Sequence, residues 1–215
     1  APPLSTLYLG PSAARADIVA ALQATPGIRF HETADPEQEA AQLLAQGKVV
    51  AWFAGRMEYG PRALGHRSIL SAARDASINR WLNEKLRRTE FMPFAPTLLE
   101  EDAPLLLEGW APHHIDARHM TSAYRATALC REVAPAVVHV DGTVRPQVLR
   151  PQDDPSYHRL LAAYKRLTGH GIVLNTSFNM HEEPIVCAPA DALRGFVAAE
   201  LDELFMDGFR VARAP

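Results

Sequence analysis

The chain has little cysteine: two residues, Cys130 and Cys187, in 215. They lie far apart and fit no metal-ligand spacing, so a cysteine-rich zinc site is excluded, and a disulfide between them, though open to the chain, is not expected in a reducing compartment. They read as reduced, buried residues of a cytoplasmic protein. There is no long apolar run: nothing approaches the ~18 residues of a membrane helix, and no basic-then-apolar leader stands at the front. The familiar phosphate and nucleophile signatures are missing as well. The sequence has no Gly-x-x-x-x-Gly-Lys-Ser/Thr, no Gly-x-Gly-x-x-Gly, no Gly-x-Ser-x-Gly and no His-x-x-x-His, which removes P-loop, dinucleotide-fingerprint, hydrolase-elbow and zincin readings. His113, His114, His119 and Asp116 are close in sequence, but adjacent histidines in a strand or loop point apart, so no metal site is expected. The chain opens at Ala1 without an initiator Met, which suggests a piece of something longer.

Positive charge is present, and it is concentrated. The net formal charge is −3, yet residues 56 to 88 hold eight Lys/Arg against three Asp/Glu, leaving the remainder at −8. A local basic stretch in a mildly acidic protein suggests a focused anion site; a nucleic-acid binder is more often basic throughout. The densest part is Gly55-Arg56-Met57-Glu58-Tyr59-Gly60-Pro61-Arg62-Ala63-Leu64-Gly65-His66-Arg67-Ser68, directly after the apolar run Lys48 to Phe53. Glycine lets a ligand approach the backbone, and arginine forks match phosphate and carboxylate oxygens. The pattern is a strand opening into a loop for an anion with several oxygens, such as a nucleotide or acyl phosphate. Taken alone, it also suits an arginine-rich surface loop.

Two further constellations stand out. Residues 139–147 read as a hairpin around Asp141-Gly142, with His139, Thr143, Arg145 and Gln147 on one face that could hold a ribose or phosphate. Asn175-Thr176-Ser177-Phe178-Asn179 follows the buried strand Ile172 to Leu174, at a strand end where open α/β sheets commonly bind ligands; ordinary turn and cap chemistry explains it equally.

Periodicity predicts a helix capped by Ser12 and running to Gln23, and another after Asp35-Pro36 ended by Gly47. Further helices are expected at 76–86, 100–107, 153–167 and 189–199. Strands are expected at 7–9, 48–53, 120–129, 136–140, 144–149, 171–174 and 203–211. Residues 91–96, with prolines three apart, must be extended. The fold class is α/β (α+β), one mixed sheet flanked by helices. The whole chain forms a single domain in which residues 1–47 are a helical lead-in to a main sheet domain, 48–215.

Residues 55–69, 91–96 (Phe-Met-Pro-Phe-Ala-Pro), 136–147 and 175–179 together resemble, in order and spacing, the C-terminal domain of the carbamoyltransferases of the nodulation-factor and antibiotic type. The resemblance implies a YrdC-like domain with a mixed twisted sheet, joined in the parent chain to an N-terminal Kae1-like, metal-containing domain that is absent from this sequence. It implies an enzyme domain that converts ATP, with Mg²⁺, and carbamoyl phosphate to carbamoyl-adenylate, the first stage of O-carbamoyl transfer to a small-molecule hydroxyl. It places Arg62, Arg67, Arg88 and Arg145 in the catalytic anion site. Arg56, Ser68, His139, Asn175, Ser177 and Asn179 fall on nucleotide or phosphate positions, and no metal ligand is implied. Neither membrane nor nucleic-acid partners are expected. Two positions depart from the pattern: some members have Lys where this chain has Leu86, with Lys85 and Arg87 beside it, and some have Gly where this chain has Glu182, which would be strained if that backbone needs φ > 0. Two alternatives stay open: YrdC-type threonylcarbamoyl-adenylate synthesis for tRNA modification, and a non-catalytic nucleotide- or RNA-binding module.

Overall fold

The computed structural model of the chain describes residues 6–88 and 93–214. In chain order, α1 (Arg15–Ala24) leads to β1 (Ile28–Glu32), α2 (Pro36–Ala45), β2 (Val50–Phe53) and β3 (Arg67–Ala72). Then come α3 (Ile78–Lys85), β4 (Ala95–Leu99), α4 (Ala103–Leu106), β5 (Tyr124–Arg125) and α5 (Ala128–Val133). The chain closes with β6 (Thr143–Val144), β7 (Gln147–Leu149), α6 (Pro155–Thr168), β8 (Ile172–Ser177), α7 (Pro189–Ala198), β9 (Glu203–Met206) and β10 (Phe209–Arg213).

Eight strands form one mixed sheet in the order β1-β10-β9-β2-β3-β8-β4-β7; β5 and β6 pair separately. Among the described residues, only β2–β9 and β4–β7 are parallel. Strand alternation divides the core between the two faces. Val50, Trp52, Leu70, Val173 and Phe205 meet α2 and α6 through Ala40, Leu44, Tyr157, Leu160 and Leu161. Ala51, Phe53, Ile69, Leu174 and Leu204 face the other way, toward Ile18, Leu22, Leu193 and Phe196 of α1 and α7. Burial on both sides is why β2 reads as a continuous apolar run rather than an alternating one.

Helix ends follow local chemistry. Asp35 caps α2 by accepting from the Gln38 N–H at 3.1 Å, and Asp154 caps α6 through the Ser156 and Tyr157 N–H groups. Gly47 and Gly169 follow the ends of α2 and α6 in left-handed conformation. α1 starts at Arg15 with Ala14 as a cap that offers no side chain, so Ser12 does not cap it.

Several expectations need correction. The first 47 residues are not only helical: β1 adds an edge strand to the sheet through β10. Residues 7–9 form no strand. The span 120–129 contains a two-residue strand and then α5, because the Thr127 hydroxyl accepts from the Cys130 N–H and starts a helix. Residues 135–137 are a 3₁₀ turn, so the Asp141-Gly142 reversal is not flanked by a long hairpin. It does close a tight turn, with Gly142 N–H on the His139 carbonyl and His139 N–H on the Thr143 carbonyl. The 203–211 strand is two strands, β9 and β10, folded at Asp207-Gly208. Of the stretch expected to be extended at 91–96, Ala95 and Pro96 lie in β4; Phe91 and Met92 lie outside the described residues.

Candidate functional site

β8 runs antiparallel to both β3 and β4, so its C-terminal end meets their N-terminal ends: Ser68 pairs with Ser177, and Ala95 with Asn175. β7 begins at the same level, Gln147 opposite Thr97. Four connections therefore open at one end of the sheet. They line a cleft with Arg62, Ala63, Arg88, Phe94, Arg145, Asn175, Thr176 and Ser177 on its walls. A larger cavity of about 660 Å³ lies elsewhere, between Lys48, Arg74, Trp81 and Asp202. Its cations already have partners: Lys48 pairs with Asp202, and Arg74 bonds the Thr168 carbonyl. Volume is therefore a poorer guide here than chemistry.

Arg62 is exposed at the rim and Arg145 is half-buried. Burial lowers the Arg145 pKa from the usual arginine value, and Arg62 lowers it further, which places the two cations in mutual repulsion. Arg88 is also lowered by burial; it lies 5.2 Å from the Phe94 ring centre and donates to the Thr176 hydroxyl at 3.2 Å. Among the described residues, none of the three has a carboxylate partner within salt-bridge distance. Among the described residues, no carboxylate lines the cleft. Guanidinium groups keep their protons in such a site, so the wall is a fixed donor array with uncompensated charge. The Nε of Arg145 is buried with no hydrogen-bond partner among the described residues.

The loop that carries Arg62 is held from behind by side chains bonded to its backbone. Glu58, 5% exposed, accepts through Oε1 from the Leu64, His66 and Arg67 N–H groups at 2.8, 2.8 and 3.0 Å. Asn175 donates to the Ala63 carbonyl at 3.2 Å, and Gln147 donates to the Leu64 carbonyl at 2.7 Å. Gln147 Oε1 accepts from Thr97, and Asn175 donates to the same threonine hydroxyl. Gly65 has φ +112°, and a Cβ there would stand 2.3 Å from the Tyr157 ring. Only glycine meets both the conformation and the approach.

The structure thus brings Arg62, Arg88, Arg145, Asn175 and Ser177 to one cleft, Asn175 facing it while serving the scaffold. The other candidates lie off its walls. Arg67 is fully buried and donates to the Ala54, Gly55 and His66 carbonyls, its guanidinium carbon 3.6 Å from the Phe53 ring centre. Phe53 is its cross-strand partner, and alternation along β3 sends Arg67 and Ser68 to opposite faces. Ser68 accepts from the Gly65 N–H and shapes the turn. Arg56 clamps the Leu9 and Gly10 carbonyls. His139 faces Thr143 across its own turn. Asn179 stands behind Ser177, whose hydroxyl donates to it at 2.5 Å, and is itself tied to the Met180 and Glu183 carbonyls. Lys85 pairs with Glu200, so it is not in the position of a cleft lysine. Glu182 has φ +62°, a left-handed conformation that strains a residue with a side chain and suits Gly.

Glu58, Gln147 and Thr176 are the residues that motif reading underrated. The available signal for Glu58 was its isolation: it is the single acid in a loop with three arginines. No group of His, Cys, Asp and Glu among the described residues could hold a metal ion.

A family model for the carbamoyltransferase C-terminus matches residues 41–213. An uncharacterized protein of Methanocaldococcus jannaschii is 42% identical over 175 residues, covering 81% of this chain and 28% of that protein. Nodulation protein NolO of Bradyrhizobium diazoefficiens is 39% identical over 183 residues, covering 84% of this chain and 33% of NolO. The chain therefore spans about a third of these relatives. Among solved structures, full-length HypF in its phosphate- and nucleotide-bound form matches with TM-score 0.56 at 16% identity, over 89% of this chain and 23% of HypF. Sua5 of P. abyssi complexed with L-threonine matches with TM-score 0.53 at 13% identity, over 83% of this chain and 47% of Sua5. At these identities the likeness shows the fold, which is YrdC-like. The chain belongs to the family of carbamoyltransferase C-terminal domains of the nodulation-factor and antibiotic type.

Proposed function

We propose that this domain activates carbamoyl phosphate with ATP. In the reaction, water attacks the phosphorus of carbamoyl phosphate, the bond from phosphorus to the carbamate oxygen breaks, and inorganic phosphate and carbamate form. A carbamate oxygen attacks the α-phosphorus of ATP, pyrophosphate leaves, and carbamoyl-adenylate remains. The observation that carries this reading is the cleft of Arg62, Arg88 and Arg145, which have no acid partner among the described residues. ATP and carbamoyl phosphate bring together about six negative charges, whose repulsion at ~4 Å is several kcal/mol per pair at intermediate dielectric. Fixed guanidinium groups offset that repulsion and stabilise charge that develops on phosphorus oxygens. Ser177 and Thr176 add hydroxyl groups at the same wall. Mg²⁺ bound to the nucleotide would neutralise phosphate charge; the described cleft residues offer it no carboxylate, so the nucleotide itself is its holder.

In this reading the relatives' remaining length carries the acceptor site, and the domain alone makes adenylate without a carbamoylated product. The test is ATP–pyrophosphate exchange dependent on carbamoyl phosphate, with the 215-residue chain and Arg145→Ala at equal folded fraction. Exchange in the wild type that falls at least tenfold in the variant supports the reading. Exchange equal in both, or none above background with millimolar substrates, refutes it. Replacing carbamoyl phosphate by bicarbonate and L-threonine tests the threonylcarbamoyl alternative in the same assay.

A further inference from the structure

The arginine loop has one anchor that changes charge near neutral pH. His66 lies between the loop and the N-terminus of α6, mostly buried and stacked on Tyr8 with ring centres 3.8 Å apart. Its Nδ1 faces the Arg56 carbonyl at 2.5 Å, and its Nε2 faces Asp154 Oδ2 at 3.0 Å. A carbonyl oxygen can only accept. Asp154 Oδ1 accepts from two N–H groups at the α6 N-terminus, where the helix favours a negative carboxylate. Both imidazole nitrogens therefore meet acceptors, and only the imidazolium donates to both. A neutral ring satisfies one of the two and leaves a lone pair against the other oxygen.

We propose that His66 is a positioning residue: as imidazolium it ties the arginine loop to α6, and its deprotonation loosens the loop and weakens ligand binding by Arg62. The link is short. Glu58 accepts from the His66 N–H and from its neighbours at 64 and 67, so the same segment is bound on one side by Glu58 and on the other by the ring. The groups facing the ring are few. From the loop come Glu58 and the Arg56 carbonyl, with the Arg56 guanidinium turned to Leu9 and Gly10. From α6 come Asp154 and Tyr157; Asp153 beside them is held by Arg118 and Arg150. From the N-terminal segment comes Tyr8, whose hydroxyl donates to the Leu64 carbonyl. Burial pushes the Tyr8 and Tyr157 hydroxyls upward, so both stay neutral near pH 7. For His66, burial pulls the pKa down, but the Asp154 bond and charge, the Arg56 carbonyl and Glu58 outweigh it, and the net direction is up. The sign follows: the clamp is fully present below the ordinary imidazole value and is lost as pH rises through the higher folded value.

The decisive experiment uses the 215-residue chain with ¹³C-labelled histidine. His66 should titrate above the ordinary imidazole value. Amide exchange protection at residues 64 to 67, corrected for its intrinsic pH dependence, should fall roughly tenfold across that titration, the worth of one charge-assisted hydrogen bond. Titration at or below the ordinary value, or flat protection, overturns the proposal. ATP affinity by calorimetry should weaken at alkaline pH in the wild type, and His66→Asn should lack that limb. Superimposable profiles also overturn it. The positioning role rests on the proposed function only through its ligand. Absent carbamoyl phosphate exchange with these protection and titration results intact would refute the activation chemistry and leave the clamp standing.

Discussion

Replacing Glu58 is the sharpest test of how the arginine loop is built. One carboxylate oxygen receives three main-chain N–H groups, two of them on the buried residues Leu64 and Arg67. Glu58→Ala removes the acceptor and leaves donors that have no other partner at that point. An orphaned buried donor costs ~1–3 kcal/mol, so three donors, with some relief from entering water, give an expected loss of about 3 kcal/mol. For a domain of this size each kcal/mol moves the Tm by ~2–4 °C, so a fall of roughly 6–12 °C is expected. Glu58→Gln keeps an acceptor oxygen and loses the charge. Charge-assisted bonds are about twice as strong as neutral ones, so Gln should lose about half as much. Urea unfolding of the three proteins measures this directly. If Glu58→Ala lies within 1 kcal/mol of wild type, or if Gln is as damaging as Ala, the carboxylate is not what organises the loop.

Arg62→Lys should lower carbamoyl phosphate-dependent exchange by at least ~1.4 kcal/mol, or tenfold, while leaving the unliganded Tm nearly unchanged, because lysine keeps the charge and loses the fork. Equal turnover would remove Arg62 from the site. Glu182→Gly should stabilise the fold by about 0.5–1 kcal/mol in urea by relieving a left-handed glutamate; a loss of stability would show that the Glu182 side chain contributes more than its backbone costs. Gly65→Ala should destabilise by more than ~2 kcal/mol, since the added methyl meets the Tyr157 ring and φ stays at +112°; a normal urea midpoint would show that the ring yields.

The parts of the fold legible in the sequence are those decided by local chemistry. Asp35-Pro36 and Asp154-Pro155 read as helix starts because cap and proline act within one turn. β2 and β8 read as strands because both faces are covered and every side chain is apolar up to Asn175. What was illegible depends on partners distant in sequence. Nothing in Arg67 says that it faces Phe53 rather than the cleft; that is set by the pairing of β2 with β3. β3 itself was hidden, since its first residues read as the end of an arginine motif. Thr127 is an example of a missed local signal: a threonine before an apolar run is as much a helix cap as a strand residue. The motifs fall on the loops that line the cleft, but the motifs alone do not separate Arg62, Arg88 and Arg145, which line it, from Arg56 and Arg67, which do not.

The division of labour in the loop explains why three arginines in one motif end with different roles. Arg56 and Arg67 spend their donors on main-chain carbonyls, and Arg62 is left at the rim. Placing Arg62 within repulsive range of Arg145 disfavours the empty cleft, and a surface loop would respond by swinging out. Here the backbone from Ala63 to Arg67 is fixed by Glu58, Asn175, Gln147 and Ser68, so the charge stays aimed inward. The countercharge, Glu58, is buried behind the loop and bonded to backbone N–H groups, where it does not pair with Arg62 or Arg145. A carboxylate placed in front would have satisfied the guanidinium groups and competed with a phosphate. In the proposed function, keeping this acid behind leaves an incoming anion as the group that completes the site.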